Sequence, residues 1–383
     1  LRRSFAFAAC LIAFGTGCSS AGGIAPSLPG AVAQAALSGE PATAQSVART
    51  AGLTTDAAPA AETVPATAAP TERHIYVANA GSDTITIYDK MARGNVAPVR
   101  TIGGPNTGIT CLQQTAVDAQ GYVYVAVFSS LPKQYGGCND NGGGEILVFA
   151  PGANGDVAPV RTIAGPATQI GNAGAVAVAE DGTLYVGSSE IASGGANSTI
   201  LAFAPGAAGN VAPIRVSAPM SAAAIDGITL DPILGLVTSA QPGTTSFVAA
   251  QIGYYARDLA SGGPAISFDD PGPLASDPAT RSYVGVGNSV FGQRIDRYAD
   301  GSKGAYGVTG GPSLNPGLIS SLLVASCPSA VAIGPERELY VAGTCPDSVS
   351  AYGPKASGTA AALRVIAGPR TQLSQPTRIV VGP

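Results

Sequence analysis

Histidine, cysteine and clustered carboxylates are the usual carriers of acid–base, nucleophilic and metal chemistry, and this chain is poor in the first. His74 is the one imidazole among 383 residues, so any Ser–His or Cys–His pair, or any histidine-bound metal, would have to use it. It opens a short β-type run beside an aromatic-free segment, which reads as an exposed or edge position. No Gly-x-x-x-x-Gly-Lys phosphate loop occurs; Gly142-Gly-Gly144 runs into Glu145 and a strand pattern, not into a helix. Four cysteines, Cys111, Cys138, Cys327 and Cys345, follow the first hundred residues, with no Cys-x-x-Cys spacing that would suggest zinc. Asn139-Asp-Asn-Gly-Gly-Gly-Glu145 supplies oxygen ligands, and a divalent cation such as calcium is the cofactor it could hold, although its spacing is not that of a calcium loop. The residue types therefore predict no catalytic constellation and no obligatory cofactor.

Composition points to turns and strands. With 51 Gly, 30 Pro and only 11% charged residues, helices are disfavoured, because both Gly and Pro interrupt them and serve turns. A net charge of −4 without a basic run excludes nucleic acid as an expected partner.

The chain divides into three parts. In residues 1–17, Arg2 and Arg3 precede an apolar stretch from Phe5 to Phe14, then Gly15-Thr16-Gly17. This is the layout of an export signal, too short to span a bilayer. Residues 18–72 lack aromatics after Cys18 and are mainly Ala, Pro, Thr, Ser and Gly. Such a segment cannot offset its ordering entropy by burial and reads as a disordered tether with a reach of roughly 40 Å. Residues 73–383 carry a repeat.

That repeat has four strand-like runs. Ile75-Tyr-Val-Ala78 recurs as Tyr122-Val-Tyr-Val-Ala126, Thr183-Leu-Tyr-Val-Gly187, Ser282-Tyr-Val-Gly-Val286 and Glu338-Leu-Tyr-Val-Ala342. A second run appears at Thr84–Tyr88, Ile146–Phe149, Ile200–Phe203, Ile295–Tyr298 and Val349–Tyr352. A third, Pro98-Val-Arg-Thr-Ile102, returns at 159–163, 213–216 and 363–366, and a fourth at Gln114–Asp118, Ala175–Val178, Gly227–Leu230 and Ala330–Ile333. Successive tyrosines of the first run lie 48, 61, 98 and 57 residues apart, and the interval of 98 holds a degenerate unit marked by Leu234–Thr238. Six units of four strands predict an all-β fold, a six-bladed β-propeller of four-stranded antiparallel blades. Because the domain starts on the second strand type and finishes on the innermost, Thr377–Val381 is expected to complete the first blade and close the ring.

Arg100, Arg161, Arg215 and Arg364 recur on the outermost run and read as charges guarding a sheet edge. The Gly-Asn/Asp-Val-Ala-Pro phrases beginning at 94, 155 and 209 read as local Asx-turn chemistry. On the blade layout Cys111 and Cys327 precede innermost strands, and Cys138 and Cys345 lie between the second and third strands of the same blades. The pairs Cys111–Cys138 and Cys327–Cys345 are expected, all on one face. That face, around the central channel, is also the expected ligand site, with Gln114, Asn172, Asp226 and Gln375 at the inner strands and Asn139, Asp140 and Glu190 on loops.

Two resemblances add to this reading. The small-residue run ending at Cys18, followed by Ser19-Ser20, resembles the lipobox of bacterial lipoproteins; it implies an acylated Cys18 and a membrane-anchored protein of the cell envelope, plain cleavage and secretion being the alternative. Ile75–Tyr88 resembles the YVTN-type propeller repeat and Ala116–Val125 the NHL repeat, in which blades serve binding proteins, lactonases and lyases alike. The expectation is a non-catalytic binding or scaffold protein of the envelope, with an envelope protein or glycan as partner and the membrane contacted through its lipid. The alternative is a lactonase-like hydrolase or lyase. Gluconolactonase-like propellers hold a divalent ion at the channel mouth, which here would draw on Asp226, Glu190 and Asn172.

Overall fold

The computed structural model describes residues 73–127, 143–192, 195–221, 223–232, 235–242, 250–268, 274–287, 293–299, 304–305 and 318–383. They form six antiparallel sheets arranged as a ring, a six-bladed β-propeller with almost no helix.

Blade 1 runs outward as Pro376–Gly382, His74–Asn79, Thr84–Asp89 and Arg100–Ile102; blade 2 as Leu112–Val117, Val123–Val127, Glu145–Phe149 and Arg161–Ile163. Blade 3 is Asn172–Val178, Leu184–Ala192, Gly195–Phe203 and Arg215–Val216, with Met220–Ser221 added beside its third strand. Blade 4 is Ala223–Asp231, Gly235–Pro242, Ala250–Tyr255 and Gly262–Phe268, plus a parallel outer strand Gly304–Ala305. Blade 5 is Leu274–Asp277, Ser282–Gly287, Arg294–Ala299 and Leu318–Leu323, and blade 6 is Pro328–Ile333, Leu339–Thr344, Asp347–Tyr352 and Arg364–Ala367.

Closure is complete. The inner strand of each blade contacts that of the next, from blade 1 through blade 6 and back to Pro376–Gly382. The closing strand pairs in register with the first runs, Ile75 opposite Val381 and Val77 opposite Ile379. Val380 stands opposite Tyr76, whose hydroxyl donates to the Pro383 carbonyl.

The wedge shape follows from residue size. Near the axis the inner strands place Ala116, Ala177 and Ala332 in the narrow gaps, while the third strands place Phe149, Phe203 and Tyr352 in the wide ones, all buried. Between blades 1 and 2, for example, Ile85, Ile87 and Ile102 pack on Val123, Val125, Leu147 and Phe149. Burial of each such side chain contributes about 1.5–3 kcal/mol.

Two sequence readings need correction. In the Gly-Asn/Asp phrases Gly94, Gly155 and Gly209 take the positive φ that the turn reading expects, at 75°, 78° and 71°, but the Asn and Asp side chains do not serve a local turn. Gly94, Gly155 and Gly209 donate their N–H at 2.6 Å to the outermost strand of the preceding blade, at Val365, Thr101 and Thr162. Gly358 does the same to Ser321 at 2.7 Å. The following side chain then reaches the 3₁₀ turn leaving that strand: Asn95 Oδ1 accepts Arg370 N–H at 2.8 Å, Asp156 Oδ1 accepts Asn106 N–H at 2.7 Å, and Asn210 Oδ1 accepts Ala167 N–H at 2.7 Å. Each turn begins Gly-Pro, with Gly104, Gly165 and Gly368 at φ near 120°. A Cβ on any of the three would meet the clasping Asp or Asn at 2.7 Å or less. Only glycine fits there.

Two of the repeated arginines, Arg161 and Arg364, likewise do not act mainly as edge charges, since glycine clasps already cover the edges of their strands. Arg161 lies over the Tyr122 ring and donates to Tyr124 Oη at 3.3 Å; that hydroxyl donates to Asp118 at 3.2 Å. Arg364 reaches Glu338 at 3.0 Å and Tyr340 Oη at 3.3 Å in blade 6. Burial, and after it the Glu338 carboxylate, push the Tyr340 hydroxyl far above its ordinary pKa. These side chains tie the outermost strand back to the second one.

Candidate functional site

An inner strand pairs on one side only, so its other edge turns N–H and C=O groups toward the axis, where water or a ligand must satisfy them. The same six strands begin at one end of the ring, and five of them carry a β-bulge there. The pairing with the second strand skips Thr377 in blade 1, Gln113 in blade 2, Gly174 in blade 3, Asp226 in blade 4 and Ser329 in blade 6. A bulge leaves one residue out of the ladder and re-aims it, and such devices concentrate at rims and binding sites. Thr377, Gln113, Gly174, Asp226 and Ser329 thus occupy equivalent register positions at the mouth end of five inner strands.

Of the residues expected from the sequence, Gln114, Asn172 and Asp226 all lie on inner strands at this end, and Gln375 immediately precedes the inner strand of blade 1. Gln114 is buried and lines the channel; its Oε1 accepts the Val176 N–H of blade 3. Asn172 is 4% exposed, and its Oδ1 has no partner. Gln375 is exposed, in left-handed backbone at φ 49°. Glu190 sits opposite Asn197 near the tip of the nine-residue hairpin strands of blade 3. Those strands and the eight- and nine-residue strands of blade 4 outrun the six-residue strands of blade 1, building a wall on one side of the mouth. Cys18, Cys138, Asn139 and Asp140 lie outside the described residues. The bulged Gln113, Ser329 and Thr377 escaped the sequence reading, because a bulge is a property of register and not of composition.

Other stitches join the inner strands. Ser276 Oγ donates to Asp231 Oδ2 at 2.5 Å between blades 5 and 4, and Ser329 Oγ donates to the Pro376 carbonyl between blades 6 and 1. Below the bulges the channel encloses a cavity of about 210 Å³ bounded by all six inner strands.

The expected Cys327–Cys345 disulfide is present, with its Cα atoms 5.1 Å apart. It joins the connection entering blade 6 to the loop between that blade's second and third strands, at the mouth end. Cys111 is also disulfide-bonded; its expected partner is Cys138. His74 is at the opposite end, pairing with Gly382 and meeting the Tyr76 ring edge-on at 6.4 Å, so the mouth has no imidazole. Among the described residues no three His, Cys, Asp or Glu side chains converge as a metal site.

No protein-family model and no curated protein matches this chain. Solved structures do. A protein of unknown function from Bacteroides caccae superposes with a TM-score of 0.52 at 10% identity, over 81% of this chain and 99% of the other. A chain of a nidogen/laminin complex gives 0.50 at 14% identity, over 81% and 98%. Kuenenia stuttgartiensis hydrazine synthase gives 0.51 at 15% identity, over 74% and 81%. At these identities the likeness shows the propeller fold, and that fold hosts unrelated functions.

Proposed function

We propose that this chain is an exported, lipid-anchored propeller whose mouth binds an envelope protein or glycan without transforming it. The observation that carries the reading is the repeated bulge, which puts the hydroxyl residues Thr377 and Ser329 and the amide residue Gln113 at three of five equivalent register positions around one opening. Neutral donors and acceptors at fixed spacing suit sugar hydroxyls or peptide amides. The export and lipid anchor rest on the run ending at Cys18, and the NHL- and YVTN-type assignment on the strand runs quoted above.

A glycan and peptide array probed with residues 73–383 tests the binding. Saturable retention that weakens in Gln113→Ala and Thr377→Val is expected; retention unchanged by both would refute the mouth as the site. Incorporation of labelled palmitate into the full chain, lost in Cys18→Ala, tests the anchor.

One observation favours a second reading, a metal-assisted hydrolase or lyase. Asp226 occupies the bulge of blade 4, and the neighbouring blade 3 brings Asn172, with its unpartnered Oδ1, to the same end. Metal analysis of the purified ring decides it: a bound divalent ion lost in Asp226→Asn would move the protein to this class.

A further inference from the structure

Blades 5 and 6 leave a cleft of about 420 Å³ between their outer strands. Two departures from the repeat make the room. Ser350, opposite Val341, takes the register position that Leu147 holds opposite Val125 in blade 2 and Leu201 opposite Val186 in blade 3. Ala360, two residues after the latching Gly358, stands where Val96 and Val211 pack against the cores at the junctions of blades 6 and 1 and of blades 2 and 3. Among the described residues lining the cleft none is charged, and Leu323 and Val365 on its lips are 49% and 41% exposed.

At Ala360 and Ala361 this cleft meets a second, of about 520 Å³, which Arg337, Pro354 and Lys355 also line. That end carries surplus positive charge. Arg337 and Arg297 share one carboxylate, Asp277, and Arg297 Nη2 donates to the Pro354 carbonyl at 3.4 Å. Glu336 and Glu338, the sequence neighbours of Arg337, are paired with Lys90 and Arg364. Lys355 is exposed and has no carboxylate partner among the described residues. Three cations thus stand against one carboxylate.

An uncharged, largely apolar cleft running into a cationic end matches a molecule of the same build, a straight aliphatic chain with an acidic head. We infer that the junction of blades 5 and 6 binds a fatty-acid-like amphiphile, its chain among Tyr352, Leu323 and Val365 and its carboxylate at Lys355. Both volumes lie in the range of ordinary ligand pockets, about 300–1,000 Å³. The chain takes the exposed apolar lips out of water, and the head gains a charge-assisted hydrogen bond. The site is on the outer wall of the ring, so nothing in it depends on what the mouth recognises.

The test is calorimetric titration of residues 73–383 with sodium butyrate, octanoate and decanoate, and with octan-1-ol. Decanoate should bind saturably, octanoate about 10- to 15-fold more weakly for two fewer buried methylenes, and butyrate not at all. Lys355→Gln should weaken octanoate about 10-fold, the worth of one charge-assisted hydrogen bond, and leave octan-1-ol unchanged. Ser350→Leu restores the residue of blades 2 and 3, so it should fill the cleft and abolish decanoate binding without lowering the urea midpoint. If the midpoint does fall, Ala360→Val carries the same test with a smaller side chain. Binding of no carboxylate, or of butyrate as tightly as decanoate, overturns the site; so does decanoate binding indifferent to Lys355→Gln, Ser350→Leu and Ala360→Val alike. Loss of array binding at the mouth with these titrations intact would sink the mouth reading alone.

Discussion

Asn95 Oδ1 holds the N–H of Arg370 across 275 residues of sequence, at 2.8 Å. Blade 1 thereby grips the turn that leaves blade 6, and Asp156 and Asn210 grip the equivalent turns leaving blades 1 and 2. Replacing Asn95 or Asn210 by Ala should cost about 0.5–1.5 kcal/mol each, the usual net worth of such a bond. Asp156→Ala should cost more, since the Asn106 side chain also donates to it at 3.0 Å. Gly104→Ala should cost about 1–3 kcal/mol, because φ 125° disfavours a side chain. Urea midpoints of the four variants check the order.

Removing residues 376–383 deletes the inner strand of blade 1 and bares the edge of His74–Asn79. An unpaired central edge invites intermolecular pairing. The truncated chain should lose its single cooperative melt and elute as aggregate on size exclusion. A monomer with an unchanged melt would contradict closure through this strand.

Cys327–Cys345 closes a sequence separation of 18. In the chain-entropy account a loop of this size contributes about 3 kcal/mol. The double Cys→Ser variant should therefore melt lower than the parent without reductant.

Asp277, buried at the end of the inner strand of blade 5, receives Arg297 Nη1 at 2.9 Å and Arg337 Nε at 3.1 Å. Burial alone would raise its pKa, but the hydrogen bonds from Arg337, Thr280 and Arg297 outweigh that and hold it below the ordinary carboxylate value. A lowered folded-state pKa adds stability that is present above the unfolded value and lost as pH falls through the folded one. The loss should begin below about pH 4. Asp277→Asn should cost about 1.5–3 kcal/mol at neutral pH and flatten this acid slope, as followed by urea denaturation from pH 7 to pH 2.5.

The second strands were plain in the sequence because Tyr-Val-Ala and its variants recur where a β-branched residue must alternate with an aromatic one. The inner strand of blade 5, Leu274–Asp277, was not, since four residues between prolines carry no readable period. The clasps were misread for a different reason. Gly-Asn-Val-Ala-Pro satisfies every rule for a local turn, and nothing in the sequence says that its hydrogen-bond partners lie 50 or 275 residues away. At the site, the polar character of Gln114 and Asn172 could be foreseen; which residue each bulge expels could not, because a one-residue slip is fixed by the partner strand.

Asn or Asp clasps join blades 6 to 1, 1 to 2 and 2 to 3, and the Gly358 latch with a disulfide beside it serves blades 5 and 6. Among the described residues, the junctions flanking blade 4 have neither device. A circle sewn tightly along one arc concentrates its yielding in the other. Heating or pulling should part this one between blades 3 and 5, far from the seam where the two ends of the domain meet, and insertions should be tolerated best along that same arc.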